Sequence, residues 1–274
     1  MSSTDFRTAE TLIPQSRPAI YWTIADALVL AKRHLIQIPR IPEELIFATI
    51  QPIMFVLLFR YVFGGAIVVS GTSYVNYLMA GIFAQTVIFG ATSTGIGLAT
   101  DLQRGLVDRF RSLPMAKSAV LTGRTISDLV RNTFVVLVMW GVGLLVGFRP
   151  EGGVLSWLGG IGLLLLTSFA FSWISATIGL LVSTVEAAQS AGFIWLFPLT
   201  FASSAFVPTK SMPSWLRAFA DHQPVSLVVN AVRGLLLNTP DAATIWQAVA
   251  WCVGILIVFI PIAVWAYGRR IGKS

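Results

Sequence analysis

Charged residues are scarce in this chain. Only 11% of the 274 residues are Asp, Glu, Lys or Arg, whereas a soluble domain carries about a quarter. The hydrophobic share is 55% and the mean hydropathy is +0.78, which excludes both a soluble globular enzyme and a disordered chain. Cys252 is the single cysteine of the sequence. It has no partner within the chain, so an intrachain disulfide framework is excluded. The composition places the protein in a bilayer.

Long charge-free runs locate the membrane spans. Lipid satisfies no backbone polar groups, so a span must be a helix of about 20 mostly uncharged residues. The longest run covers 40 residues between Tyr61 and Thr100, and glycine- and serine-rich breaks divide it. The sequence predicts an all-α polytopic membrane protein, a single transmembrane domain over 1–274. Its six transmembrane helices are predicted at 45–63, 77–99, 126–148, 155–182, 187–207 and 243–267.

The distribution of Lys and Arg predicts the orientation of these spans. The net charge is +7, and 14 of the 19 basic residues lie in the N-terminal segment, the loop between spans two and three, or the C-terminus. The positive-inside rule therefore predicts that both termini are cytoplasmic. Because this pattern explains the basic charge, no nucleic-acid partner is expected. Arginine outnumbers lysine 15 to 4, which is typical of a GC-rich bacterial genome and indicates a bacterial plasma (inner) membrane.

The residues before the first span have an amphipathic pattern. Between Pro18 and Pro39, apolar side chains recur on one helical face while Lys32 and Arg33 lie off it. This predicts an N-terminal amphipathic interface helix at about 18–40, lying on the inner membrane surface. A solvated helix is the alternative.

The segment between the second and third spans predicts a short basic helix. Thr100 and Gln103 fit a capping box at its start, and Leu106 and Phe110 lie on one face. Pro114 follows the last helical residue. Such a helix is larger than a connection needs, which favours a docking element for a cytoplasmic partner. The alternative is a membrane-surface loop.

A second irregular segment, 208–240, precedes the last span. Pro213 and Pro224 each favour the start of a short helix, and neither helix is long enough to span. We expect an outer re-entrant helical hairpin, or an interfacial one. His222 lies at the break between the two helices, where it is either a turn residue or a ligand or proton site.

The motifs of membrane-embedded enzymes are missing. The sequence has no His-Glu-x-x-His pair, no Gly-x-Ser-x-Gly elbow and no paired acidic motif for a diphosphate-bound metal. Asp128, beside Arg131, is predicted at the inner end of the third span, and Glu186 in a turn, so no carboxylate is expected well inside a span. This pattern disfavours an intramembrane enzyme and an ion-coupled transporter, which typically need such groups. No metal site is expected.

A few polar side chains interrupt the apolar spans one, two and five. We expect a substrate pathway between two protomers, lined in part by Gln51, Gln85, Thr86, Ser203 and Ser204. Hydrogen bonding between helices is the alternative role for these side chains. Arg60 lies some distance along the first span, where it either snorkels to the outer interface or holds an anionic substrate.

Three stretches of the sequence resemble a known family. They are residues 51–65, beginning Gln-Pro-Ile-Met-Phe; residues 101–114, ending Arg-Phe-Arg-Ser-Leu-Pro; and residues 222–234, beginning His-Gln-Pro-Val-Ser. In order and spacing they resemble the ATP-binding-cassette type 2 exporter permeases, and within these the daunorubicin-resistance group of drug and lipid exporters. The likeness covers nearly the whole chain.

The resemblance implies how such a chain works. The segment 101–114 would be the coupling helix seated on a separate nucleotide-binding subunit, which binds ATP and Mg and hydrolyses the ATP. The residues implied in this coupling are Asp101, Arg104, Gly105, Leu106, Arg109, Phe110, Arg111, Leu113 and Pro114. The chain itself would be non-catalytic, with no cofactor of its own, and would pair with a second permease chain in a homo- or heterodimer.

The expected function is therefore the permease subunit of an ATP-driven exporter. Its substrate would be an amphipathic or hydrophobic compound, such as a drug, polyketide or lipid, moved out of the cytoplasm or the inner leaflet. The alternatives are a permease for polysaccharide or glycolipid export, an intramembrane lipid-modifying enzyme, and a channel or passive scaffold.

Overall fold

The computed structural model describes residues 42–67, 69, 71–105 and 117–271, and every regular element within them is helical. This confirms the predicted all-α class. The helices are α1 (Pro42–Leu57), continued by a π-helical turn (Leu58–Phe63), α2 (Tyr74–Gly90), α3 (Thr92–Gln103), α4 (Lys117–Leu145), α5 (Val154–Leu181), α6 (Val185–Phe201), a 3₁₀ turn (Thr209–Ser211), α7 (Ser214–His222), α8 (Pro224–Leu236) and α9 (Ala242–Ile271).

The protein is a multi-pass membrane protein. Among the described residues, five helical stretches are long and apolar enough to cross a bilayer: Leu45–Phe63, Tyr74–Gln103, Leu121–Leu145, Val154–Leu181 and Ala242–Arg270. Helix α6 covers most of the predicted fifth span, 187–207, but it ends at Phe201. The count of six spans stays a prediction. The interface helix expected at 18–40 lies outside the described residues.

The helices form one bundle with two distinct ends. At the end that we call the hairpin end, where α7 and α8 lie, the backbone N–H of Arg149 donates to Asn76 Oδ1 at 2.9 Å, and that of Glu151 to the carbonyl of Leu236 at 3.0 Å. At the opposite end, the loop end, Arg124 donates to Asp101 at 2.9 Å. These contacts fix the α4–α5 connection at one end and the α3–α4 pair at the other.

Helices α3 and α5 cross at very short range through small residues. A methyl group on Gly179 would lie 2.2 Å from the carbonyl oxygen of Gly95, and one on Gly95 would lie 2.3 Å from that of Ser175. Only glycine permits such an approach. Within a membrane no hydrophobic force drives helices together, and close packing of small residues is one way in which they associate. The α2–α3 rod is thereby buried in the centre of the bundle.

The predicted boundary between the second span and the coupling helix is wrong. Residues 101–103 form the last turn of α3, and Gly105 follows with a φ of +65°, a conformation that favours glycine after a helix end. Thr100 is not a helix cap, because its hydroxyl donates to the carbonyl of Ile96 one turn earlier, at 2.9 Å. Thr100 and Gln103 fit the sequence pattern of a capping box, but no helix starts at Thr100.

The third predicted span, 126–148, also starts too late. Helix α4 begins at Lys117, so Asp128 and Arg131 lie well inside it rather than at its end. The carboxylate of Asp128 is buried within the apolar stretch Leu121–Leu145, whereas the sequence placed it at the inner end of the third span.

The segment before the last span forms two helices, as the prolines predict. Helix α7 ends at His222, and Gln223 caps α8 by accepting from the backbone N–H of Val225 at 2.9 Å. The apolar stripe of α8 is buried against α2, α5 and α9. The re-entrant and outer position of this hairpin stays a prediction.

Candidate binding pocket

A cavity of about 310 Å³ lies between α1, the α2–α3 rod, α4 and α6. We call it the Gln85 pocket. It opens on one side of the bundle, where Phe47 and Gln51 of α1 are exposed. Its lining is Phe47, Ala48, Gln51, Pro52, Phe55, Gln85, Thr86, Phe89, Gly90, Thr92, Ser93, Ile96, Arg131, Asn132, Val135 and Phe193. Three of the five pathway residues expected from sequence, Gln51, Gln85 and Thr86, therefore meet at one cavity.

Gln85 is a buried side chain of the pocket lining that has no hydrogen-bond partner in the described part of the chain. It is only 3% exposed, and neither its amide nitrogen nor its amide oxygen has a hydrogen-bond partner in the described part of the chain. Its neighbour Thr86 differs, because its hydroxyl donates to the carbonyl of Ile82 in the same helix at 2.7 Å. An unpaired buried amide is costly in an apolar setting. This makes Gln85 a group that a bound molecule would satisfy.

A largely buried ion pair, Arg131 and Asp128, lies at the wall of the pocket. Arg131 lines the cavity and lies 3.6 Å from a carboxylate oxygen of Asp128. Its guanidinium also donates to the carbonyl of Gly90 at 2.8 Å and to the Ser93 hydroxyl. Asp128 in turn accepts from Thr94 at 2.6 Å. Sequence reasoning named Asp128 beside Arg131, but it placed both at the inner end of the third span and therefore assigned them no part in a pocket.

Close packing holds this network in place. Asn132 donates to Ser168 of α5 at 2.8 Å, and its amide rests on Gly90, where a methyl group would lie 2.3 Å from the Asn132 oxygen. The backbone of α2 therefore approaches α4 at the point where Arg131 reaches its carbonyl. Glycine at position 90 allows that approach.

A continuous row of phenylalanine rings leads from the pocket to the hairpin end. Phe89 lies 5.3 Å from Phe197, measured between ring centroids, and the row continues through Phe201 and Phe206 to Phe59, which stacks on Phe206 at 4.4 Å. We call these five rings the phenylalanine track. Phe197 and Phe201 are about 40% exposed, so the track borders an open face of the bundle.

The other expected pathway residues lie elsewhere. Ser203 and Ser204 are buried at the hairpin end, where the Ser204 hydroxyl donates to Asn230 of α8 at 2.8 Å. This agrees with the helix-bonding alternative and not with a place in the Gln85 pocket. Arg60 lies in the π-helical turn, half-buried, with its guanidinium 5.9 Å from the Tyr61 ring.

The same end contains a half-buried cation that sequence reasoning did not single out. Arg233 of α8 lies over the Tyr77 ring, with 3.5 Å between Cζ and the ring centroid, and donates to the carbonyl of Ser204 at 2.8 Å. The Tyr77 hydroxyl donates to the same carbonyl at 2.9 Å. No carboxylate is bonded to Arg233 among the described residues, so carbonyls and an aromatic face hold this charge.

His222 shows no ligand chemistry. It is exposed at the end of α7, and its Nδ1 lies 2.9 Å from the carbonyl of Ala218 one turn earlier. Within the described ranges, no three His, Cys, Asp or Glu side chains are grouped to hold a metal ion.

Only the first residues of the expected coupling segment are described. Asp101 pairs with Arg124, Arg104 is exposed, and Gly105 follows the end of α3. The remaining coupling residues, Leu106, Arg109, Phe110, Arg111, Leu113 and Pro114, lie outside the described residues.

Comparison with known proteins assigns the family. Residues 26–237 match the model of the ABC-2 type transporter family. The chain is 33% identical to the daunorubicin resistance ABC transporter permease protein DrrB1 of Streptomyces coeruleorubidus, over 93% of this chain and 90% of that protein. It is 28% identical to the probable doxorubicin resistance ABC transporter permease protein DrrC of Mycobacterium tuberculosis, over 96% of each chain. The chain therefore belongs to the ABC-2 type transporter family and is a membrane permease.

Proposed function

We propose that this permease moves amphipathic or hydrophobic compounds, drugs among them, out of the cytoplasm or inner leaflet of a bacterial plasma membrane. The two relatives named for daunorubicin and doxorubicin resistance support a drug-like cargo. The single observation that carries the proposal is the Gln85 pocket and its connection to the phenylalanine track. Together they offer an apolar compound a binding cavity and a row of rings along the bundle.

The open side of the track is the side on which a second permease chain would pair. Helix α1 exposes Phe47, Ile50 and Met54 there, and α6 exposes Ile194 and Phe197. A pathway bordered by one chain alone would be open to lipid, whereas a second copy or a related chain would close it. The dimer explains why rings of the track are only partly buried.

ATP hydrolysis takes place in a separate nucleotide-binding subunit in this proposal. That subunit, with its ATP and Mg, docks on segment 101–114 at the loop end. The Asp101–Arg124 ion pair, at 2.9 Å, ties the last turn of α3 to α4 beside this segment. A movement of the docked segment therefore reaches α3 and α4, two of the helices that line the Gln85 pocket. Both termini are cytoplasmic, in line with the distribution of basic residues.

Substitution on the track tests the export role. Phe197→Ala removes a ring that contacts Phe89 and Phe201, and we expect ATP-driven export of doxorubicin from proteoliposomes to fall about two- to tenfold. This range is the fold-change that corresponds to an aromatic contact of about 0.5–1.5 kcal/mol.

The matched control is Phe134→Ala. Phe134 of α4 is 49% exposed, similar to the 41% of Phe197, but lies outside the track and the pocket lining. Export by this variant should stay at the wild-type level. Equal export by the two variants would count against the track as the route.

A further inference from the structure

The polar groups around the Gln85 pocket differ in whether the protein itself supplies their hydrogen-bond partners. The Thr86 hydroxyl donates to the carbonyl of Ile82 in its own helix, and the Thr92 hydroxyl donates to that of Phe89 near the end of α2, each at 2.7 Å. The Ser93 hydroxyl donates to the carbonyl of Gly90 at 2.8 Å. Both polar atoms of the Gln85 amide are without a partner among the described residues. Gln85 is thus the buried lining group whose whole hydrogen-bonding capacity is left for a ligand.

The charge that faces the pocket is positive. Arg131 is the one charged residue in the lining, and its Nε has no hydrogen-bond partner within the described chain. The carboxylate of Asp128 is not part of the lining, because its oxygens accept from Thr94 at 2.6 Å and from Ser93 at 3.2 Å on the side of α3. A ligand in the pocket therefore meets a guanidinium and an amide, and the Asp128 carboxylate that pairs with the guanidinium lies outside the lining.

We propose that the Gln85 pocket binds an amphipathic molecule whose head carries oxygen acceptors, such as a carboxylate, phosphate, ester or phenol. The Gln85 amide and the Arg131 guanidinium bind the head, and the surrounding phenylalanine rings bind the apolar body. A head without oxygen acceptors would leave the buried Gln85 amide unpaired, which is costly in an apolar site. This proposal rests on the export role and names the substrate class of its pocket.

Two sources offer this head chemistry, an exported solute and a lipid of the bilayer itself. Both present oxygen acceptors on an apolar body. The experiment therefore uses defined probes and varies the lipid separately.

The probes share a dansyl group on an undecyl chain and end in a carboxylate, a primary amide or a trimethylammonium group. Binding is measured by dansyl fluorescence on the full chain in phosphatidylcholine nanodiscs. We expect the carboxylate and amide probes to bind about tenfold more tightly than the ammonium probe. Equal or tighter binding of the ammonium probe would overturn the proposal.

Two substitutions of Gln85 test whether this residue causes the difference in affinity between the probes. Gln85→Met keeps the volume and removes the amide, so the carboxylate and amide probes should lose about three- to tenfold in affinity while the ammonium probe is unchanged. Gln85→Glu places an anion in the pocket and should shift the preference toward the ammonium probe.

The matched control is Gln247→Met, the same change at an exposed position of α9 outside the pocket. All three affinities should stay at their wild-type values. If Gln85→Met behaves as this control does, Gln85 does not bind the head.

Nanodiscs containing phosphatidylglycerol distinguish the two sources. A lipid occupant competes with the carboxylate probe in the wild type more than in Gln85→Met, whereas a solute site shows no such competition. These measurements need neither ATP nor an ATPase subunit, so their failure is distinguishable from a failure of ATP-driven export.

Discussion

At the scale of single residues, Arg233 shows how this fold holds a half-buried charge without a carboxylate. Its Nη1 donates to Asn230 at 2.7 Å, its Nε to the carbonyl of Tyr77 at 3.2 Å, and its Nη2 to that of Ser204 at 2.8 Å. The guanidinium also lies over the Tyr77 ring. One side chain thereby joins α8, α2 and the turn after α6.

Replacement of Arg233 should loosen the hairpin end. Arg233→Gln loses several charge-assisted hydrogen bonds and the ring contact, and we expect a loss of roughly 2–4 kcal/mol of stability. Arg217→Gln, which removes an exposed pair with Asp221 at 3.5 Å, should cost less than about 1 kcal/mol. The midpoint of thermal unfolding in detergent measures both, and equal shifts would contradict the assigned role.

The sequence allowed part of the pocket to be predicted at this scale. Gln51, Gln85 and Thr86 stand out as polar groups in apolar spans, and the structure places all three at one cavity. Arg131 could not be found in this way, because a basic residue near the end of an apolar run is indistinguishable from one obeying the positive-inside rule. Its position became evident only from the early start of α4 at Lys117.

At the scale of elements, the chain's helices follow its apolar runs, but their ends do not follow local capping patterns alone. Residues 100–103 fit a helix start, yet α3 continues through them. The reason is tertiary: the preceding turns are buried against α5 through Gly95 and Gly179, and burial of that kind outweighs a cap of about 1 kcal/mol. The helix therefore ends at Gln103, two residues before Gly105, whose backbone conformation favours glycine.

The α3–α5 crossing makes a prediction for glycine substitutions on one helix. Gly179→Ala would place a methyl group 2.2 Å from the Gly95 carbonyl oxygen, so we expect a loss of about 1–3 kcal/mol through overpacking. Gly162→Ala, in the same helix with open space around it, should stabilise the protein by up to about 1 kcal/mol because alanine favours the helix. Urea unfolding followed by circular dichroism separates the two, and a stabilising Gly179→Ala would refute the close crossing.

At the scale of the whole molecule, the bundle brings a polar pocket, a row of rings and an open apolar face together. The order of spans, loop and hairpin could be recognised from sequence, because apolar runs and prolines are local features. The convergence of Gln85, Arg131 and Phe193 from three helices could not, because it depends on how the helices pack. The family assignment and this geometry together support an ATP-driven permease in which α3 and α4 connect the loop end to the pocket.

ATP-dependent uptake into inside-out vesicles tests this account most directly. The vesicles contain the chain with its co-purified ATPase subunit, and the cargo is the dansyl-undecyl carboxylate probe. The account predicts that the probe accumulates only with ATP and the ATPase subunit, and that Gln85→Met slows accumulation about three- to tenfold while Gln247→Met does not. Accumulation without ATP or without the ATPase subunit, or none when both are present, would contradict it.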